Sequence, residues 1–441
     1  MEKKRFVIAG TSNRGMNSYG RPLVTKSEKL DLGENFGYGD DSSDKKEISE
    51  VSELVGVYDI NIGRARYVGE QLGVPAFEDF DEMLKATNPH CVIVTSTDYS
   101  HAEYIIRGLD AGCEVFTEKP MCINAEQCRA ILEAEKRNNR KIGVCFNMRY
   151  QNAIIQLKQL IDSGVLGEIY NVTLEWLLTK DYSAGHSGHG ASYYRRWNAY
   201  MDKCGGLLLT KSTHHFDMVN WLIGGRPKRV SAFGKLREYG SNGKFRGERC
   251  SNCEHTAECP YYRDTTKGFN KAMYMDHEQY DGYKIDRCVF DEAIDTYDTM
   301  SLNVEYTNGV LMSYSESSAA MYEGFKLYIN GSDARLEVQS FSNGGTKTGE
   351  HPDYIRIIKT GAENITVIDK AEASAGGHGG SDDAFRRVHF LGEEPQFEAQ
   401  KAGAVDGAYS ILIGAAANES IKTGKIIDID EFIGDASLLD K

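Results

Sequence analysis

The sequence predicts an α/β protein in two parts: an N-terminal doubly wound parallel sheet, then a C-terminal α+β region built on an open mixed or antiparallel sheet. Three observations predict it. Short apolar runs alternate with helix-patterned segments over residues 1–147, the signature of parallel strands joined by crossover helices. The first of these runs leads directly into a glycine-bearing turn, Gly10-Thr11-Ser12-Asn13-Arg14-Gly15. Past Arg149 and Tyr150 the pattern changes to alternating apolar and polar strands, with Asn-Gly pairs between some of them, as half-exposed antiparallel sheets require. A chain of 441 residues exceeds the size at which one core keeps growing, so two domains are expected, 1–147 and 148–441.

Composition narrows the partners. A formal net charge of −14 disfavours both a phosphate backbone and an anionic membrane surface, so nucleic acid and membranes are set aside. No apolar window reaches the length of a membrane span. The start, Met1 to Gly10, passes from charges into a short strand-like run, with neither the apolar length nor the cleavage site of a signal peptide. Ten cysteines without a secretory signal fit a reducing compartment, and a cytoplasmic location is expected.

Arg5–Ala9 reads as the first buried strand. The turn after it has dinucleotide-fingerprint spacing with Ser12 in place of the middle glycine; Gly10 makes the tight turn and Gly15 lets helix and strand pack closely. The ribose-binding acid normally follows about 20 residues later. Here a polar, glycine-containing stretch, Ser27–Ser49, intervenes and reads as an inserted surface loop. Beyond it, Leu54–Asp59 is a second strand ending in an acid. Asp59 would accept from both adenosine ribose hydroxyls and repel a 2′-phosphate, which favours NAD over NADP, with Arg64 close by to temper the preference.

The alternation continues through helices Gly63–Leu72 and Asp79–Ala86, the strand Cys91–Thr97, and a helix with Ala102, Ile105, Ile106 and Leu109 on one face. The strand Glu114–Thr117 then delivers Glu118-Lys119-Pro120. Ligands of open α/β sheets bind at this carboxyl end of the strands, and Pro120 rigidifies the exit. Asn124 and Gln127 read as a helix-opening cap pair, and Ile142–Phe146 as a further strand. In the second part, helix Ile154–Ser163 precedes strands Ile169–Trp176, Arg229–Lys235, Ser301–Tyr306, Val310–Glu316, Phe325–Ile329 and Arg335–Val338. Asn308-Gly309 and Asn330-Gly331 are read as hairpin turns between them.

Taken in order, these features resemble the Gfo/Idh/MocA family of nicotinamide-dependent oxidoreductases. The matching pieces are Gly10–Gly15, Asp59, Thr97–His101, Glu118-Lys119-Pro120, the run Gly205–Asp217 containing Lys211 and His214, the segment Gly377–Asp382, and an alanine-rich helix around 404–420. The resemblance implies an N-terminal Rossmann domain binding NAD through Gly10, Ser12, Asn13, Arg14, Gly15, Asp59, Thr97, His101 and Glu118. It also implies a C-terminal sheet used for self-association, hence a homo-oligomer, and oxidation or reduction of a sugar or polyol at one carbon. Lys119 matches the family's catalytic lysine and His214 its catalytic histidine. Where many members carry an aspartate four residues before that histidine, this chain has Thr210, with Lys211 beside it.

Removing hydride from an alcohol carbon requires that the hydroxyl proton leave as well, so the site needs a base at the reacting oxygen. Imidazole titrates near neutrality unaided, whereas a lysine must be desolvated or crowded by another cation. If Lys211 shares a pocket with Lys119, each ammonium disfavours the other's charge and the pair substitutes for the missing aspartate. Adjacent helical residues point about 100° apart, so only one of His214 and His215 faces a ligand, and His215 is the weaker candidate. The loop Tyr182–Asn198 holds His186, His189, Tyr194, Arg196 and Trp197 among glycines. Donors, acceptors and ring faces of this kind suit a sugar. Arg149 and Tyr150 are placed at the cofactor side of the cleft.

A second signal is Cys250-Ser251-Asn252-Cys253 with Cys259 and Cys288, within a long insertion at about 239–291. The spacing suits a four-sulfur structural zinc site, and the same ligands would hold an iron–sulfur cluster. With four protein ligands it would staple a lid and take no part in chemistry. The functional expectation is an NAD-linked oxidoreductase acting on a ring hydroxyl of a sugar, glycoside or polyol, with the 3-hydroxyl of a glycoside as the specific candidate. The rivals are a glycosidase that uses held NAD for transient oxidation and elimination, and a non-catalytic cofactor sensor on the same fold.

Overall fold

A computed structural model of the protein describes residues 2–24, 45–180, 188–341, 353–361, 365–369, 371 and 378–440. Six strands, β1 (Lys4–Ala9), β2 (Ser52–Tyr58), β3 (Ala76–Phe77), β4 (Cys91–Val94), β5 (Glu114–Thr117) and β6 (Ile142–Val144), pair in parallel in the order β3-β2-β1-β4-β5-β6. The order reverses between β1 and β4, so the crevice of the doubly wound sheet opens at the carboxyl ends of those two strands. Val7, Ile8, Val92 and Ile93 are fully buried, which is why the central strands read as unbroken apolar runs. Helix starts follow from side-chain caps. Asn61 accepts the Arg64 amide, Asp79 the Glu82 amide and Asn124 the Gln127 amide, while Gln127 returns to the Ile123 amide.

The second sheet has nine strands: β7 (Ile169–Thr179), β8 (Pro227–Lys235), β9 (Thr299–Tyr306), β10 (Leu311–Ala320), β11 (Gly324–Gly331), β12 (Ala334–Phe341), β13 (Tyr354–Lys359), β14 (Ile365–Ile368) and β15 (Ile427–Asp428). Their order is β14-β13-β12-β11-β7-β10-β9-β8-β15. The sheet is mixed: β10 runs parallel to β7 and antiparallel to β9. On β9, Met300, Leu302 and Val304 are buried while Thr299, Ser301 and Asn303 are exposed, the alternation of a one-sided sheet. The helix Ala404–Thr423 packs on β8 and against the helix Thr213–Ile223. Covered on nearly every side, it carries no polar stripe, as a buried helix should. Among the described residues no helix is long and apolar enough to cross a membrane.

Several sequence expectations shift. Residues 25–44 of the inserted loop lie outside the described residues, and its end is a helix, Lys45–Val51, with Ile48 and Ser49 buried. The strand expected over Cys91–Thr97 stops at Val94, and that over Ile142–Phe146 stops at Val144 and turns into a short 3-10 helix, Asn147–Tyr150. Asn308-Gly309 does turn between β9 and β10. Asn330 and Gly331, by contrast, remain in β11, paired with Arg335 and with Ile169, and the chain turns one step later at Ser332 and Asp333. Three strands, β13, β14 and the two-residue β15, extend the sheet beyond those expected.

Candidate active site and cofactor cleft

The glycine turn sits where the order of the first sheet reverses. Gly10 holds φ +97°, and a Cβ there would stand 2.2 Å from the Ser96 amide nitrogen; a Cβ on Gly15 would stand 2.5 Å from Thr95 Oγ1. Both positions exclude a side chain. Ser12 Oγ accepts the Gly15 amide at 3.0 Å, so the serine that replaces the middle glycine caps the following helical turn. Asp59 ends β2, and its carboxylate already accepts the Thr11 amide at 2.7 Å, the Asn61 amide at 2.9 Å and Arg64 Nη2 at 2.8 Å. With Gly10, Thr97 and Tyr99 it lines a cavity of about 390 Å³. A glycine turn at the carboxyl end of β1, Gly10 at the cavity wall and a carboxylate just past β2 together fit a dinucleotide.

Three expected cofactor contacts act chiefly as braces. Arg14 leaves the turn to pair with Glu118 at 2.6 Å and with Asp382 at 2.8 Å. Burial would raise the Glu118 carboxyl, but the Arg14 guanidinium and the Tyr19 hydroxyl hold it below the usual carboxylate range. His101 places Nδ1 2.7 Å from the Pro120 carbonyl and Nε2 3.0 Å from the Ser96 carbonyl, fastening the loop after β4 to the exit of β5.

Beside this cleft a cavity of about 490 Å³ is lined by Lys119, Lys211 and His214 together. The peptide bond between Lys119 and Pro120 is cis. Lys119 Nζ donates to the Thr210 carbonyl at 2.7 Å. Burial, reinforced by the charge of Lys211, pulls the Lys119 ammonium down to about 8. His214 is pushed well below the ordinary imidazole value by burial, then by Lys119 and Lys211, so its ring is neutral at neutral pH. Among the described residues its buried Nδ1 has no hydrogen-bond partner. His215 turns away from the cavity: its ring stacks on Trp176 at 3.7 Å and its Nδ1 meets the Tyr314 hydroxyl at 2.7 Å. The helical offset between neighbours separates the two imidazoles.

The expected substrate residues divide. His189, Arg196 and Trp197 line the cavity, with His189 Nδ1 2.7 Å from Glu323 and Trp197 Nε1 donating to Asp98 at 3.0 Å. His186 lies outside the described residues. Arg149, Tyr150 and Tyr194 are corrections. Arg149 is buried in a two-pronged pair with Asp217, at 2.8 and 2.6 Å. The Tyr150 ring packs on Phe385, and the Tyr194 hydroxyl donates to the Tyr297 carbonyl at 2.9 Å while its ring stacks on Tyr239. Each spends its polar atoms inside the protein.

Sequence reasoning missed Asp98, Gln151, Trp176, Glu323 and His378, all at the cavity wall. His378 sits at φ +52° and pairs its Nδ1 with Asp382 at 2.8 Å. Behind the wall, Glu316 accepts from Ser212 and from the Tyr314 hydroxyl, and burial pushes its carboxyl up to about 7. Two buried carboxylates thus flank the segment 210–212: Asp98, from the loop after β4, and Glu316, on β10.

The four cysteines of the insertion are unbridged and share the wall of one cavity of about 20 Å³. Cys250 Sγ receives Arg195 Nη1 at 2.9 Å, and Cys253 and Cys288 accept backbone amides two residues ahead at 3.4 Å. Among the described residues no group of three or more His, Cys, Asp or Glu side chains is arranged to hold a metal ion, so the expected zinc or iron–sulfur centre is not shown.

Residues 4–146 match the family described as "Oxidoreductase family, NAD-binding Rossmann fold", and residues 158–429 match its "C-terminal alpha/beta domain". YteT of Bacillus subtilis (strain 168), named as an oxidoreductase, is 32% identical over 97% of this chain and 98% of its own. An inositol 2-dehydrogenase of Salmonella typhimurium is 27% identical over 41% of this chain and half of its own. Among solved structures, the WlbA dehydrogenase from Bordetella pertussis, in complex with NADH and UDP-GlcNAcA, superimposes with a TM-score of 0.63 at 17% identity, covering 97% of this chain and 99% of its own, a likeness of fold. With both halves matched in order, and the glycine turn, Lys119 and His214 converging on one crevice, the chain belongs to the Gfo/Idh/MocA family of oxidoreductases.

Proposed function

We propose that the protein is an NAD-dependent dehydrogenase that transfers hydride to or from a CH–OH carbon of a sugar, glycoside or polyol, with the 3-hydroxyl of a glycoside as the specific candidate. The observation that carries this reading is the meeting of Lys119, Lys211 and His214 in one cavity beside the glycine turn. Bound NAD supplies the hydride acceptor; the chain's residues supply everything else. Gly10, Ser12, Asn13, Gly15, Asp59 and Thr97 would hold it, and the carboxylate at Asp59 favours a free 2′-hydroxyl over a 2′-phosphate.

At neutral pH part of the Lys119 population is the free amine, because burial and the Lys211 charge disfavour its protonation. The amine takes the proton of the reacting hydroxyl, and the ammonium so formed steadies the oxygen. His214, kept neutral, donates or accepts a hydrogen bond at the same oxygen without competing for the charge. Lys211 lies 5.5 Å from the centre of the Trp176 ring, and it keeps the site's second positive charge next to Lys119. His189, Arg196 and Trp197 offer the remaining donors and an aromatic face to the sugar. The relative named as an inositol 2-dehydrogenase supports the substrate class. Absorbance of reduced nicotinamide, followed against a panel of glycosides and polyols, tests it. Turnover of at least one panel member is expected, and its absence across the panel would refute the assignment.

A further inference from the structure

The insertion between β8 and β9 reaches across to the N-terminal sheet. Along 268–283, Phe269 and Met273 are buried in the same apolar cluster as Phe6, Ile8 and Met16. Tyr280 covers Gly63 so closely that a Cβ there would stand 2.3 Å from its ring. Three polar ties cross the gap: Asn61 Nδ2 to the His277 carbonyl at 2.9 Å, Arg64 Nη2 to Asp281 at 3.1 Å, and the Asn13 amide to the Tyr274 hydroxyl at 3.0 Å. From the root of the insertion, Arg249 braces this arm by pairing with both Glu278 and Asp286.

The third tie bears on the cofactor. Asn13 belongs to the glycine turn, whose backbone amides are the donors a dinucleotide's phosphates require. Tyr274 therefore occupies a donor the cofactor needs, and with Tyr283 it also forms the outer side of the cavity that Asp59 lines. His277, packed on the helix's own Tyr67, and Tyr280 extend the same cover over the start of the Ile62–Leu72 helix.

Resting on the dinucleotide reading above, we propose that 268–283 is a strap that lifts for the cofactor to enter and closes over it afterwards, with Tyr274 as its latch. A phenolic hydroxyl both accepts and donates. Tyr274 passes from accepting the Asn13 amide to donating to a phosphate oxygen, and the bound cofactor exchanges slowly because leaving requires the strap to open.

The test loads the purified full-length protein with NADH, adds excess NAD, and follows the decay of bound-nicotinamide fluorescence. Tyr274→Phe and Asp281→Ala are each expected to release NADH about tenfold faster, the change that loss of one hydrogen bond from the closed form produces, with the folded state retained by thermal melting. Release at the wild-type rate in both variants would overturn the strap. If NADH fails to bind at all, the dinucleotide reading falls and the strap with it. If NADH binds and escapes faster from the variants but no sugar is oxidised, the strap stands and only the substrate class is refuted.

Discussion

Lys119 Nζ donates to the carbonyl oxygen of Thr210 at 2.7 Å, so an amine carried by the first sheet is fastened to the segment that carries Lys211 and His214. In the proposed mechanism the two halves of the chain share one acid–base site, with that tether holding the amine in place.

Replacing Lys119 by alanine removes the proposed proton acceptor while leaving the glycine turn intact. The expected outcome is a fall in kcat of about 10²–10⁴-fold with NADH affinity little changed. Steady-state kinetics and a fluorescence titration on the same preparation check both halves of that statement.

The rate of alcohol oxidation should rise with pH and level off above an inflection near the Lys119 value of about 8, since the amine must be free to accept a proton. Lys211→Met removes the neighbouring charge, so Lys119 binds its proton more tightly and the inflection moves to higher pH. A pH–rate profile with an unmoved inflection would make Lys211 a bystander.

Arg149→Met separates structural from substrate roles. Arg149 and Asp217 have side-chain exposures of 3% and 1%, and stranding one member of such a pair costs about 3–5 kcal/mol. Urea unfolding should register that loss while KM for the sugar stays put. A raised KM with unaltered stability would return Arg149 to the substrate side.

Gly10→Ala forces a Cβ against the Ser96 backbone from a left-handed conformation. NADH affinity should drop at least about tenfold, the scale of a hydrogen bond or two lost at the turn. Titration of the folded variant reads it directly.

The first sheet was legible because its strands are buried on both faces and its turns carry caps and glycines at fixed offsets. Lys119 and His214 were legible because each closes a motif with its own local pattern. Arg149, Tyr150 and Tyr194 misled because a polar group beside a cleft and one satisfied inside the core have the same sequence signature; only the positions of Asp217, His389 and Tyr297 tell them apart. Asp98, Glu316 and Glu323 gave no signal: the pairing of β10 and β11 with β7 brings Glu316 and Glu323 to one end, and Asp98, from the loop after β4, joins them through its bond with Trp197. β14 escaped notice for a simpler reason: Ile365 and Val367 are exposed, so the strand lacks a buried face to betray it.

Arg14 grips Glu118 with one edge and Asp382 with the other, joining positions 368 residues apart. That grip constrains how the family can recombine. A chimera that grafts this front half onto another back half keeps the glycine turn braced only where that half supplies a carboxylate at the position of Asp382. Modules that look separable in sequence are therefore obliged to be inherited as a matched pair.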